Sequence, residues 1–141
     1  MAEIFVDFTI LPILAPSFLD RRKHSEFIDW IKEVSDNNTF LIATSDLSHR
    51  GIQFGDPFPA IEKREETVSY DKEIIDLIVE KKPDDFINKL IENKNFTNIC
   101  GMGPIYTLLK LVKKEKGDLI DYRFTIDESG GSMVSFAGIY F

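Results

Sequence analysis

The sequence predicts an α/β fold: a central mixed, largely parallel sheet flanked by helices on both faces and closed by a C-terminal β-hairpin. Three observations carry this expectation. Strand-like and helix-like segments alternate along the chain, the pattern of helices layered on a sheet. The run Thr39-Phe40-Leu41-Ile42-Ala43-Thr44 is continuously apolar or β-branched, as in a strand covered on both faces. Two β-rich runs flank Gly130-Gly131 near the C-terminus, where an antiparallel hairpin would turn.

Taken in order, Val6 to Leu14 reads as a first strand, with Pro12 suited to a strand end or edge. After a break at Pro16-Ser17, Phe27, Ile28, Trp30, Ile31 and Val34 recur at helical spacing, and Asp36-Asn37-Asn38 supplies a stop. Thr39 to Thr44 is the expected central strand. Residues 51 to 68, with Gly51, Gly55, Pro57 and Pro59, read as a long surface loop. Two helices follow, one with Ile74, Ile75, Ile78 and Val79 inward, the next opened by Pro83 with Phe86, Ile87, Leu90 and Ile91 inward. A further helix starts near Pro104 and runs through Ile105, Leu108, Leu109 and Val112 to Gly117. Tyr122 to Ile126 and Met133 to Phe141 form the hairpin.

Composition narrows the function classes. With 141 residues, 43% of them hydrophobic, the chain is the size of one domain, 1–141, able to bury a core. Its 17 basic and 24 acidic residues give a net charge of −7, which opposes a phosphate backbone and argues against a nucleic-acid partner. The apolar stretch from Phe5 to Leu14 is interrupted by Asp7 and Pro12 and is too short to span a bilayer, so no membrane partner is expected. A single cysteine fits a reducing compartment, and the expected location is cytoplasmic.

Two polar islands beside apolar runs carry the candidate chemistry: Ser45-Asp46-Leu47-Ser48-His49-Arg50-Gly51 and Cys100-Gly101-Met102-Gly103-Pro104. In an open α/β sheet, ligands bind beyond the carboxyl ends of strands, which puts Asp46 and His49 at a productive edge. Three residues apart, they can share one side of a turn, with Asp46 orienting His49 as a general base. The bland reading is that Asp46 caps the turn and His49 is a surface residue. Cys100 lies just ahead of a helix, where the dipole and free N–H groups favour a thiolate ligand or nucleophile. Equally, free cysteines are often inert core residues. The Gly101 and Gly103 pair makes neither known phosphate-loop pattern, so nucleotide binding is not supported.

Ala43-Thr44-Ser45-Asp46-Leu47-Ser48-His49 followed by Ile99-Cys100-Gly101-Met102-Gly103-Pro104-Ile105-Tyr106-Thr107-Leu108-Leu109 resembles the C-terminal half of Memo-like proteins, also called AmmeMemoRadiSam system protein B. Ile10-Leu11-Pro12-Ile13 and Ser132-Met133-Val134-Ser135-Phe136-Ala137-Gly138 extend the resemblance over nearly the whole chain. It implies a fold similar to class III extradiol dioxygenases, with a metal-type pocket at one edge. Cys100 would then match a metal ligand, His49 a pocket histidine and Asp46 the acidic residue of the same motif. Two further histidine ligands would come from an N-terminal half that this chain does not include. His24, the other histidine, sits in Arg21-Arg22-Lys23-His24, where a solvent-exposed role is expected. A divalent metal, iron, copper or zinc, would thus need ligands from another chain. The expected partners are a second copy, a separate N-terminal half, or a small-molecule or peptide ligand. Two functions stay open: a ligand- or partner-binding module, and a metal-dependent redox or hydrolytic enzyme completed by a second chain.

Overall fold

The computed structural model describes residues 8–15 and 21–141. In chain order it comprises α1 (Arg21–Val34), β1 (His49–Gly51), α2 (Arg64–Val79), α3 (Pro83–Glu92), α4 (Met102–Leu111), β2 (Asp118–Ile126) and β3 (Ser132–Tyr140). Two short 3-10 turns, Ile52–Phe54 and Ala60–Lys63, occupy the connection ahead of α2.

The sheet is three-stranded in the order β1-β3-β2, and both pairings are antiparallel. The hairpin is formed as the sequence predicts, with Tyr122 opposite Ala137 and Ile126 opposite Met133. Alternation along β3 sets its two faces. Met133 and Ser135 are buried, and Ala137 and Ile139 pack against the helical core, whereas Phe136 and Tyr140 stand exposed on the other face.

The expected largely parallel central sheet is not formed among the described residues. Two strand assignments account for this. Residues 8–14 of the expected first strand carry no regular structure, Val6 and Asp7 lying outside the described residues along with the Pro16-Ser17 break. Thr39 to Thr44 is likewise in no ladder. From Phe40 to Leu47 burial nonetheless alternates residue by residue, with Leu41, Ala43, Ser45 and Leu47 toward the body. Phe40 and Ile42 face outward, 78% and 76% exposed. The run therefore has the side-chain periodicity of a strand without the neighbours that would make it one.

The core forms where α2 and α3 pack together and against the inner face of the sheet. Ile74, Ile75 and Ile78 of α2 meet Phe86, Ile87 and Leu90 of α3, joined by Leu47, Tyr70, Ile99, Met102 and Leu109. Pro83 opens α3, as expected from its preset φ and absent N–H, and Asp84 and Asp85 complement the positive end of the helix. Ile91 is the exception to the inward assignment and is exposed. α4 ends at Leu111 rather than near Gly117, and Gly117 instead donates its N–H to the Val79 carbonyl, tying the α4–β2 connection to the end of α2. Of the paired leucines on α4, Leu109 is the one fully enclosed, at 1% exposure, while Leu108 is half-buried. Leu109→Ala is therefore expected to destabilise by about 2–5 kcal/mol and Leu108→Ala by clearly less, read from urea unfolding midpoints. Equal losses would contradict this packing.

Of residues 51–68, expected as a long surface loop, 64–68 form the first turns of α2 and 51–63 are folded back onto the hairpin tip. The Gly131 carbonyl accepts from the N–H groups of both Ile52 and Ala60, and the Gly130 carbonyl from that of Ile61. This approach requires Gly51: its φ is +102°, and a Cβ there would lie 2.0 Å from the Gly131 oxygen.

Candidate functional site

The site grows out of the short segment leading into β1. Leu47 and Ser135 share two backbone contacts with this segment, the Leu47 N–H donating to the Ser135 carbonyl and the Ser135 N–H to the Ser48 carbonyl. Leu47 and Ser48 are thereby buried, and Asp46 and His49 are left on either side of them at the surface.

His49 is held at both ends. Its backbone N–H donates to the Thr97 carbonyl, and its ring Nδ1 lies 3.0 Å from the Asn98 carbonyl oxygen. A carbonyl only accepts, so Nδ1 carries the proton and Nε2 presents its lone pair in the neutral ring. Nε2 faces Asp46 Oδ2 at 3.5 Å, and the ring packs edge-on against Phe54 at 5.1 Å between centroids. The expected Asp46–His49 pair thus exists, with the ring positioned to take up a proton or a ligand on the nitrogen beside the carboxylate.

Cys100 stands two residues before α4, is exposed, and belongs to no core cluster. Its Sγ lies 3.2 Å from Ser45 Oγ and 3.8 Å from the Asp46 carbonyl oxygen. Gly101 lets this approach happen, since a Cβ there would come within 2.4 Å of Ser45 Oγ. The two islands therefore meet through Ser45 and the Asp46 backbone. No hydrogen bond or ion pair joins Cys100 to His49 among the described residues.

Three features went unread in the sequence. The Asn93-Lys94-Asn95-Phe96-Thr97-Asn98 turn places the Asn98 carbonyl under His49. Lys94, Asn95 and Asn98 have positive φ, and Asn95 clasps Ile99 with reciprocal side-chain to backbone bonds. The density of asparagines, which tolerate left-handed conformations, was the available signal.

The second is a buried carboxylate, Asp71 on α2. Its Oδ1 accepts from Ser48 Oγ at 2.6 Å, and its Oδ2 from Ser135 Oγ at 2.6 Å and Tyr122 Oη at 2.7 Å. One side chain thereby joins the β1 approach, α2, β2 and β3, reaching the site segment through Ser48, which lies between Asp46 and His49 in the chain. Burial, and then the neighbouring Asp71 carboxylate, push the Tyr122 phenol far above its ordinary range, so it stays a donor. The third is Arg50, 4% exposed, whose Nε is 2.8 Å from Asp56 Oδ2 and whose Nη1 donates to the Phe96 carbonyl. Its guanidinium lies over the rings of Phe58 and Phe96, each centroid at 5.1 Å.

His24 is also not where the sequence put it. On amphipathic α1 it shares the inner side with Ile28 and Ile31, and its side chain is buried rather than solvent-exposed. Trp30 and Val34, assigned to the same apolar stripe, are exposed instead. Thr107 Oγ1 donates to the Gly103 carbonyl, so at 2.8 Å it accepts from His24 Nε2. Nδ1 is then a buried lone pair without a partner, beside Phe27 and Tyr106. Desolvation lowers the imidazole pKa. The unfolded chain therefore binds this proton more readily, and folding stability should fall as pH drops through about 6.5. Urea midpoints at pH 7.5 and 5.5 should show a smaller drop for His24→Leu than for the parent chain. An identical drop would refute the assignment.

Among the described residues no three His, Cys, Asp or Glu side chains converge within reach of one metal ion. Asp46 and His49 supply two donors and Cys100 is turned toward a backbone carbonyl, so the donors present do not by themselves fit a resident metal. No helix among the described residues is long and apolar enough to cross a membrane.

A family profile described as "Memo-like protein" matches residues 1–140. A MEMO1 family protein of Aquifex aeolicus (strain VF5) is 29% identical over 143 residues, covering 98% of this chain. The chain spans only 37% of that relative's length. Matched over nearly its whole length, with both polar islands inside the match, the chain belongs to the Memo-like protein family.

Proposed function

We propose that the chain is a ligand- or partner-binding module whose polar corner, Asp46, His49 and Cys100, is one wall of a pocket completed by further polypeptide. The observation that carries this reading is the fixed His49 ring. Its Nδ1 is committed to the Asn98 carbonyl and its Nε2 faces Asp46 and the surface, so the corner offers one oriented acceptor, one carboxylate and one thiol. Such a set recognises a small polar ligand or peptide, and it is short of the ligands that hold a metal tightly. A cytoplasmic location and a larger, largely parallel sheet flanked by helices on both faces belong to the same proposal, the additional strands coming from the completing polypeptide.

A second reading is favoured by the same Nδ1 bond. Histidines that ligate metals characteristically donate their other ring nitrogen to a carbonyl or carboxylate. In that reading His49, Asp46 and Cys100 are part of an extradiol-dioxygenase-like pocket of a metal-dependent redox or hydrolytic enzyme, with the missing ligands supplied by a second chain.

Titration with zinc and with ferrous iron of the purified chain, alone and mixed with a polypeptide comprising the unmatched part of the Aquifex relative, followed by elemental analysis, separates the two. The binding reading expects sub-stoichiometric metal, unchanged by Cys100→Ser. One metal per chain, lost in both Cys100→Ser and His49→Ala, would overturn it in favour of the enzyme.

A further inference from the structure

We infer that α1 is an acid-released helix: protonation of the buried His24 ring undocks it from α4 while the packing of α2 on α3 persists, uncovering Gly103, Tyr106 and Thr107 on the helix that starts two residues after Cys100. The device is separate from the polar corner and does not depend on what completes it.

The ring is held where a second proton finds no partner. His24 is 3% exposed, and its Nε2 donates to Thr107 Oγ1 at 2.8 Å, because the Thr107 hydroxyl proton is already given to the Gly103 carbonyl. Nδ1 is left as a lone pair without a partner. A proton added there would be a buried N–H with no acceptor on a charged ring, and water would have to satisfy it. The groups facing the ring offer no substitute. From α4 come Thr107 and Tyr106, the Tyr106 ring at 5.3 Å between centroids, and from α1 comes Phe27 at 5.9 Å. Tyr106 Oη donates to Asp84 of α3, and the same carboxylate holds Lys110, whose Nζ lies over the Tyr106 ring. A cation thus already stands against that ring, which disfavours a second one beside it. On α1 itself, Arg22, Lys23 and Glu26 are exposed. Desolvation accordingly lowers the pKa of the imidazole.

α1 is built to leave by itself. Its buried apolar residues, Ile28 and Ile31, are not part of the cluster that joins α2, α3 and α4. It packs chiefly on α4, and residues 35–48 beyond it form neither helix nor strand. Units with few buried contacts open before the rest of a fold. The docked helix binds the His24 proton less readily than the released one, so release becomes more favourable as pH falls through about 6.5. For a ring that stays neutral when docked, the ratio of released to docked helix rises about tenfold between pH 7.5 and pH 5.5.

Native-state amide hydrogen exchange of the whole chain, with rates corrected for the intrinsic effect of pH, tests this. Amides of residues 27–34 should be less protected than those of residues 74–78 and 86–90, and their exchange should depend less on urea, as in a local opening. Their protection should fall about tenfold from pH 7.5 to pH 5.5. That fall should vanish in His24→Gln, whose amide still donates to Thr107 and does not titrate, and in His24→Leu, which keeps the site apolar. It should persist in His49→Ala, which removes the other of the two histidines. Protection and urea dependence in α1 equal to those of α2 and α3 would overturn the inference, since α1 would then open only with the whole fold. Protection of α1 that does not change with pH, or a fall that survives in both His24 variants, would overturn it as well. Where both of those variants leave α1 open already at pH 7.5, His49→Ala decides: a fall retained there assigns the proton to His24, and a fall lost there overturns the inference.

Discussion

Asp71→Ala is expected to lower the unfolding free energy by at least about 3 kcal/mol, because three hydroxyl groups lose a shared acceptor at once and each buried polar group left unsatisfied costs about 1–3 kcal/mol. Ser48, Ser135 and Tyr122 come from three different parts of the chain, and Asp71 is the acceptor they share. Asp71→Asn should cost less, since its carbonyl oxygen still accepts and its amide can donate to a rotated hydroxyl. Urea unfolding of the three proteins checks the order. A midpoint for Asp71→Ala within error of the parent would show that the network is dispensable. The effect should also reach the candidate site, because Ser48 lies between Asp46 and His49. The His49 ring resonances should shift or broaden in Asp71→Ala, and should stay in place in the equally destabilised Leu109→Ala, which touches none of the network.

Arg50→Ala should be comparably damaging, at about 3–5 kcal/mol, the cost of removing one partner from a buried ion pair. The loss leaves Asp56 with the Gly51 N–H as its remaining bond, leaves the Phe96 carbonyl unpaired, and empties the space between Phe58 and Phe96. Arg50→Lys should recover little. An ammonium is a point donor, whereas the guanidinium donates in two directions and stacks through its plane. Thermal unfolding measures the loss, and hydrogen exchange should place the first loosening in residues 52–61, which Asp56 and the hairpin tip hold down together. Full rescue by lysine would argue that charge alone matters at this position.

These two residues mark a limit of what could be read from the chain. Asp71 sits in a helix among Lys72, Glu73 and Asp76, and nothing local distinguishes it from a solvated charge. Its partners are 23, 51 and 64 residues away, and only the packing of α2 on the sheet brings them together. Arg50 was equally silent, adjacent to the motif but assigned no part in it. His24 shows the converse error. Three basic neighbours suggest exposure, yet its position one turn from Ile28 places it on the inner face of α1.

Helices and the hairpin were legible because their signals are local. Apolar residues at helical spacing, Pro83 at a first helical position, and two alternating runs around Gly130-Gly131 each specify their element without help from the rest of the chain. The same holds for the family motif that includes Cys100, whereas the spacing of Asp46 and His49 allowed either a pair or a cap beside a surface residue, and the 3.5 Å contact chose the pair. The central strand was misread for a physical reason. A continuous apolar run says that both faces want cover, but a strand exists only when neighbouring edges supply hydrogen bonds, and Phe40 to Asp46 has none from the described residues.

The sequence by itself determined the helices α1 to α4, the hairpin and the family. Tertiary structure alone decided that β1 pairs antiparallel with β3 and that Asn98 fixes the His49 tautomer. It also decided that Cys100 meets Ser45 rather than His49, that Asp71 gathers Ser48, Ser135 and Tyr122, and that Arg50 binds Asp56 and the Phe96 carbonyl. Periodicity and turn chemistry act over a few residues, whereas which side chains share a buried volume depends on how distant segments pack, and that is settled only when the chain has folded.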